Sequence, residues 1–89
     1  MAAMQRATDL LTYLVQGLVD EPDEVSVETF EEDGGVVVLE LAVGPEDYGK
    51  VIGRGGRTAH ALRTVIRAAA AGERSANGHQ RRVVVDIVD

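Results

Sequence analysis

The 89 residues predict one α+β domain, a three-stranded sheet with helices packed on one face. Three observations carry that prediction. Two segments repeat apolar residues at the helical period, three short β-branched segments alternate at the period of a strand, and a glycine cluster breaks the chain between two helical stretches. Read in order they give α-β-β-α-α-β. At 9.5 kDa the chain has room for a single modest core.

The first helix is expected from about Ala3 to Val19, where Ala7, Leu10, Leu11, Leu14, Val15, Leu18 and Val19 recur at helical spacing. Asp20-Glu21-Pro22-Asp23 should stop it, because proline disfavours helix in the residue before it, and residues 1–22 form the first unit. Val25 to Phe30 reads as a strand with Val25, Val27 and Thr29 on one side, and Asp33-Gly34-Gly35 as a hairpin turn. The returning strand, Val36 to Val43, should bury Val37, Leu39, Leu41 and Val43 before Gly44-Pro45 ends it.

Pro45-Glu46-Asp47 has the composition of a helix start, with proline and acids in the first turn. That helix is short, because Gly53-Arg54-Gly55-Gly56 follows. A second helix is expected from Arg57 to Ala71 and ends at Gly72, so that 45–72 make one helix-loop-helix unit. At 100° per residue Ala59, Leu62, Val65, Ile66 and Ala69 cluster on one side, with Arg57, His60, Arg63, Thr64 and Arg67 on the other. Gly72 to Gln80 reads as a polar loop. The last unit, 81–88, holds a strand from Arg82 to Val88 whose Val83, Val85 and Ile87 point one way.

Composition removes several function classes. Cysteine is absent, which excludes a disulfide scaffold, thiol catalysis and cysteine-ligated zinc. His60 and His79 lie far apart, without metal-ligand spacing, and no Ser/His/Asp arrangement stands out; neither a metal, a cofactor nor a catalytic residue is expected. No apolar run approaches the roughly 18 residues of a membrane span. Asp9 and Gln16 interrupt the amino-terminal apolar residues, so no signal peptide is expected, and the domain should be soluble and cytoplasmic. Charge is divided unevenly: residues 1–48 carry 12 acids and one base, residues 49–89 eight bases and three acids. One face is therefore suited to phosphate or to an acidic partner.

The glycine cluster is the most informative feature. Three glycines in four positions let the backbone take positive φ and approach a ligand closely. The loop opens a helix, whose first amides lack partners and whose dipole end is positive, an arrangement that favours an anion. Lys50, Arg54 and Arg57 surround the same turn. A Walker loop would need a lysine after the last glycine, and a dinucleotide fingerprint would need glycine at Thr58 and a preceding strand. Neither fits.

Val51-Ile52-Gly53-Arg54-Gly55-Gly56-Arg57-Thr58-Ala59 resembles the core of a KH domain, and the element order matches the type II arrangement. The resemblance covers essentially the whole chain, 1–89 as one domain. It extends to the small stand-alone bacterial KH proteins of the KhpA type through Pro22–Val27, Gly49–Gly53, Gly56–Ala59 and Val83–Val88. It implies a loop that clamps the backbone of about four nucleotides of single strand. Residue by residue, Gly53, Arg54, Gly55 and Gly56 take the place of the clamp. Lys50 and Arg57 would stand near phosphate, and Val51 or Ile52 would supply the floor beneath the bases, with strand 36–43 as the other wall. The implied function is RNA binding, as an RNA chaperone or post-transcriptional regulator in the bacterial cytoplasm. The implied associations are a homodimer or a pairing with a second KH-containing, Jag-type protein, and links to cell shape. No membrane or small-molecule substrate is expected. A rival reading is a protein-interaction module with weak or no RNA binding, motivated by the acidic first half and by Leu10, Leu14 and Leu18.

Overall fold

The computed structural model describes residues 4–71 and 82–88. Helix α1 spans Gln5–Gln16, strand β1 Ser26–Glu32, strand β2 Val36–Ala42, helix α2 Tyr48–Ile52, helix α3 Arg57–Ala70 and strand β3 Arg82–Val88. This is the predicted α-β-β-α-α-β order. The sheet order is β1-β2-β3, with β1 antiparallel and β3 parallel to the central β2. A parallel return needs a crossover, which α2 and α3 supply on the same face as α1. The expected Ala3 start of the first helix, the Gly72 stop, the loop 72–80 with His79, and Arg81 lie outside the described residues.

The core lies between the sheet and the helix layer. Val37, Leu39 and Leu41 of β2 are fully buried, and Val83, Val85 and Ile87 of β3 lie beside them. Ala7, Leu11 and Val15, four residues apart, are the buried line of α1; Ala59, Leu62, Ile66 and Ala70 are that of α3. A fully buried leucine such as Leu11 is worth about 2 kcal/mol in water-to-core transfer, and truncation to alanine costs more because a cavity remains.

Strand β1 starts at Ser26 rather than Val25, β2 ends at Ala42 and leaves Val43 only partly buried past its end, and α3 ends at Ala70 rather than Ala71. Four further boundaries or faces differ from expectation, each for a local reason. Helix α1 ends at Gln16 rather than Val19, with Gly17 as its cap. The amides of Asp20 and Glu21 turn away from the helix to bind a carboxylate on another element, described below. Strand β1 runs on to Glu32, because Glu31 and Glu32 continue to pair with Val37 and Val36. Helix α2 begins at Tyr48: the expected Pro45-Glu46-Asp47 start is a turn closed by the Asp47 amide on the Gly44 carbonyl at 2.9 Å. On α3, Val65 is exposed and Ala69 half-buried, because they lie on the flank toward α1 while Ala70 takes the expected core position.

Candidate nucleic-acid interface

The loop between α2 and α3 is built by three left-handed glycines. Gly53, Gly55 and Gly56 have φ of 76°, 64° and 78°, values that L side chains rarely adopt. Gly53 is fixed for a second reason. A Cβ added there would lie 2.7 Å from Thr58 Cβ and 2.9 Å from its backbone nitrogen, so Thr58 seals the inside of the loop. The Gly53 amide caps α2 on the Gly49 carbonyl at 2.9 Å, and the Gly56 amide returns to the Gly53 carbonyl at 3.1 Å. Among the described residues the N–H groups of Arg54 and Gly55 donate to no backbone carbonyl. Two amides at the tip of the turn thus stand at the head of α3.

Side chains around the loop sort into three sets. Arg54 and Arg57 are exposed and, among the described residues, form no ion pair. Lys50 is held instead between Asp20 and Asp47, its Nζ 3.4 Å from Asp47 Oδ1 and in direct contact with Asp20 Oδ2. Its hydrogen bond to Asp20 outweighs partial desolvation, and with Asp47 keeps the ammonium's pKa above its ordinary value. Val51 is buried in the core, whereas Ile52 is partly exposed at the end of α2 beside the loop. The expected site residues Ile52, Gly53, Arg54, Gly55, Gly56 and Arg57 are therefore contiguous, and Lys50 sits one turn back in an acidic setting. Tyr48 packs against the core.

Asp47, expected from its place to be a helix-start acid, is the buried polar side chain among the described residues and stands just before α2. It is 1% exposed. Its two oxygens accept the backbone N–H groups of Asp20 and Glu21 at 3.1 and 3.0 Å. Burial alone would raise its pKa; those two donors, with Lys50, hold it below the ordinary carboxylate value. Asp47 thus ties the chain leaving α1 to the start of α2. A single carboxylate five residues after a strand gives no sequence signal of that role.

Helix α3 presents two different flanks. Toward α1, Leu14, Leu18, Thr58, Ala61, Leu62 and Val65 line an apolar groove of about 270 Å³. On the other flank, from the β3 side round to solvent at about 40–160° from Ala59, stand Arg63, Arg67, His60, Thr64 and Arg57. Arg63 Nε donates to the Val85 carbonyl at 3.2 Å, which brings the basic flank against the free edge of the sheet. The expected cleft wall is corrected by this geometry. Strand 36–42 lies in the middle of the sheet, hydrogen-bonded on both sides, so the strand edge that faces α3 belongs to β3.

A family model described as "KhpA/KhpB, KH domain" matches residues 8–87, from within α1 to the end of β3. The chain belongs to the KhpA/KhpB family of KH domains. It is 52% identical over 79 residues to a protein of Leifsonia xyli subsp. xyli named RNA-binding protein KhpA, covering 89% of this chain and 92% of the relative. A protein of the same name in Clostridium acetobutylicum is 49% identical over 79 residues, 89% of this chain and 96% of the relative. One in Streptomyces coelicolor is 48% identical over 81 residues, 91% of this chain and 90% of the relative. Among solved structures, Aquifex aeolicus Era, in a crystal structure bound to GDP.AlF4-, superposes with a TM-score of 0.58 at 17% identity. The match covers 99% of this chain and 32% of that one, a likeness of fold alone.

Proposed function

We propose that this KhpA/KhpB-family domain binds single-stranded RNA at the Gly53–Gly56 loop, as a binding protein without catalysis. The observation that carries the reading is the loop itself: two amides at the head of α3 and the side chains of Arg54 and Arg57 beside them, all without partners among the described residues. A backbone phosphate seated there meets N–H donors and positive charge together. From the loop the RNA strand runs along the basic flank of α3, over the Arg63–Val85 contact at the edge of β3, with Ile52 beneath the bases. Lys50 acts at longer range, its charge partly balanced by Asp20 and Asp47. The relatives' shared name, RNA-binding protein, supports the same assignment. Work as an RNA chaperone or post-transcriptional regulator in the bacterial cytoplasm fits a domain that holds backbone and reads bases weakly. Among the described residues no helix is long and apolar enough to cross a membrane.

The double substitution Arg54→Asp/Gly55→Asp tests the clamp. Arg54 is exposed, and a Cβ at Gly55 would meet nothing within 4 Å, so both carboxylates fit. Aspartate also tolerates the left-handed conformation better than most residues. Fluorescence anisotropy with short single-stranded RNA should show binding by the wild type and loss of at least tenfold in the variant, at unchanged circular dichroism. Equal binding by both would end the clamp assignment.

A second reading, association with another copy or with a Jag-type KH protein, is favoured by the groove between α1 and α3. It is lined almost wholly by apolar side chains, with Leu18 and Val65 exposed in it. It occupies the flank of α3 away from the basic one, so the two activities need not compete.

A further inference from the structure

We infer that the outer face of the sheet is a docking surface for a protein segment that interleaves lysine or arginine with aliphatic side chains. Because Val37, Leu39 and Leu41 point into the core, Val36, Val38, Glu40 and Ala42 point the other way, and the strand pairing extends that pattern across the sheet. Phe30 pairs with Val38, and Val38 with Val84, giving one apolar row across all three strands. Phe30 is 44% and Val84 39% exposed, so this row is a surface and not a second core. The next row is Glu28, Glu40 and Asp86, again in direct cross-strand pairing.

That second row identifies the occupant. Side chains directly opposite on neighbouring strands stand roughly 4.5–5.5 Å apart, and like charges so placed destabilise a sheet. Among the described residues none of the three carboxylates has an ion-pair partner. Three uncompensated carboxylates in a line, beside an exposed aromatic-aliphatic row, are complementary to a strand whose alternate residues are cationic and aliphatic. Nucleic acid is repelled by the same row. A second copy offers a poor match: among the described residues this same face carries Glu28, Glu32, Glu40 and Asp86 against the single cation Arg82, so two such faces repel. Its α3 cations lie on a polar flank, and its apolar groove is lined without any charged side chain. The surface lies on the opposite side of the sheet from the helix layer, so it stays open whatever the helices hold.

The experiment uses a synthetic probe, the acetylated and amidated peptide Lys-Ser-Val-Ser-Lys-Ser-Val-Ser-Lys, titrated into the labelled full chain by NMR. Saturable shifts are expected at Phe30, Val38, Glu40 and Val84. Binding should weaken at least tenfold with Glu40→Lys and several-fold with Val84→Thr, and should vanish for the peptide with glutamate in place of lysine. Asp86→Lys serves as a second charge reversal if the first variant does not fold. Shifts confined to the other acidic region, Asp20 to Glu24 with Glu46, would overturn the assignment. So would no shifts at all, or equal binding by the charge-reversed chain. Concentration-dependent shifts on this face without peptide would overturn it in favour of self-association.

Discussion

Gly53 carries two requirements that no other residue meets together. Its φ of 76° is open to glycine and strained for an L residue, and the space where a Cβ would go belongs to Thr58. Gly55 and Gly56 carry only the first, since nothing lies within 4 Å of a Cβ added at either. Gly53→Ala should therefore cost about 1–3 kcal/mol by denaturant unfolding and weaken RNA binding, whereas Gly55→Asn should cost less than about 1 kcal/mol. Shaving the threonine should not rescue the first variant, because the Thr58 backbone nitrogen would still stand 2.9 Å from the new Cβ. Recovery of wild-type stability in Gly53→Ala/Thr58→Ala would show that the threonine's hydroxyl and γ-methyl alone exclude the new methyl group, since alanine keeps the Cβ at 2.7 Å.

Between elements, the decisive contact is the one that sequence patterns do not encode. The hydrophobic periods of β2, α3 and β3 each predicted a buried line, and Val37-Leu39-Leu41 and Val83-Val85-Ile87 are found as read. The loop residues 53–56 were legible because three glycines in four positions have few other uses. Asp47 was not legible: its partners are the backbone amides of Asp20 and Glu21, and an amide has no sequence identity. The same contact explains why α1 stops three residues early, and Val65 was misassigned because one helical step of about 100° separates core from groove. The carboxylate's folded pKa lies below its ordinary value, so its ionised form stabilises the fold above the unfolded value of 3.8 and that contribution is lost as pH falls through the folded one. Lys50 behaves oppositely, stabilising below 10.5 and losing its share as pH rises through its raised value. Asp47→Asn can accept only one of the two amides and should lower Tm at pH 7 by several degrees. Its Tm should also fall less steeply than the wild type's between about pH 5 and pH 2, measured by thermal circular dichroism. Parallel acid limbs would assign the acid sensitivity to other groups.

Across the whole molecule, α3 divides two surfaces that the linear sequence mixes. Thr58, Ala61 and Val65 alternate in the chain with Arg57, His60, Arg63 and Arg67, yet the helix sends the first set toward α1 and the second to the exposed side, where Arg63 reaches β3. A surface contacting about three phosphates gives a log–log salt slope near −2 for a single strand. Burial of an apolar groove is nearly indifferent to salt. The two associations are therefore separable in one protein. Val65→Glu places a charge in the groove at an exposed position, so stability should stay within about 0.5 kcal/mol of wild type. Sedimentation should then show loss of any dimer, while RNA affinity and its salt slope change little, because the substitution lies on the flank away from the loop cations. If the variant lost RNA binding in proportion to its dimer, RNA would be held across two copies, and the clamp would be half of a composite site rather than a complete one.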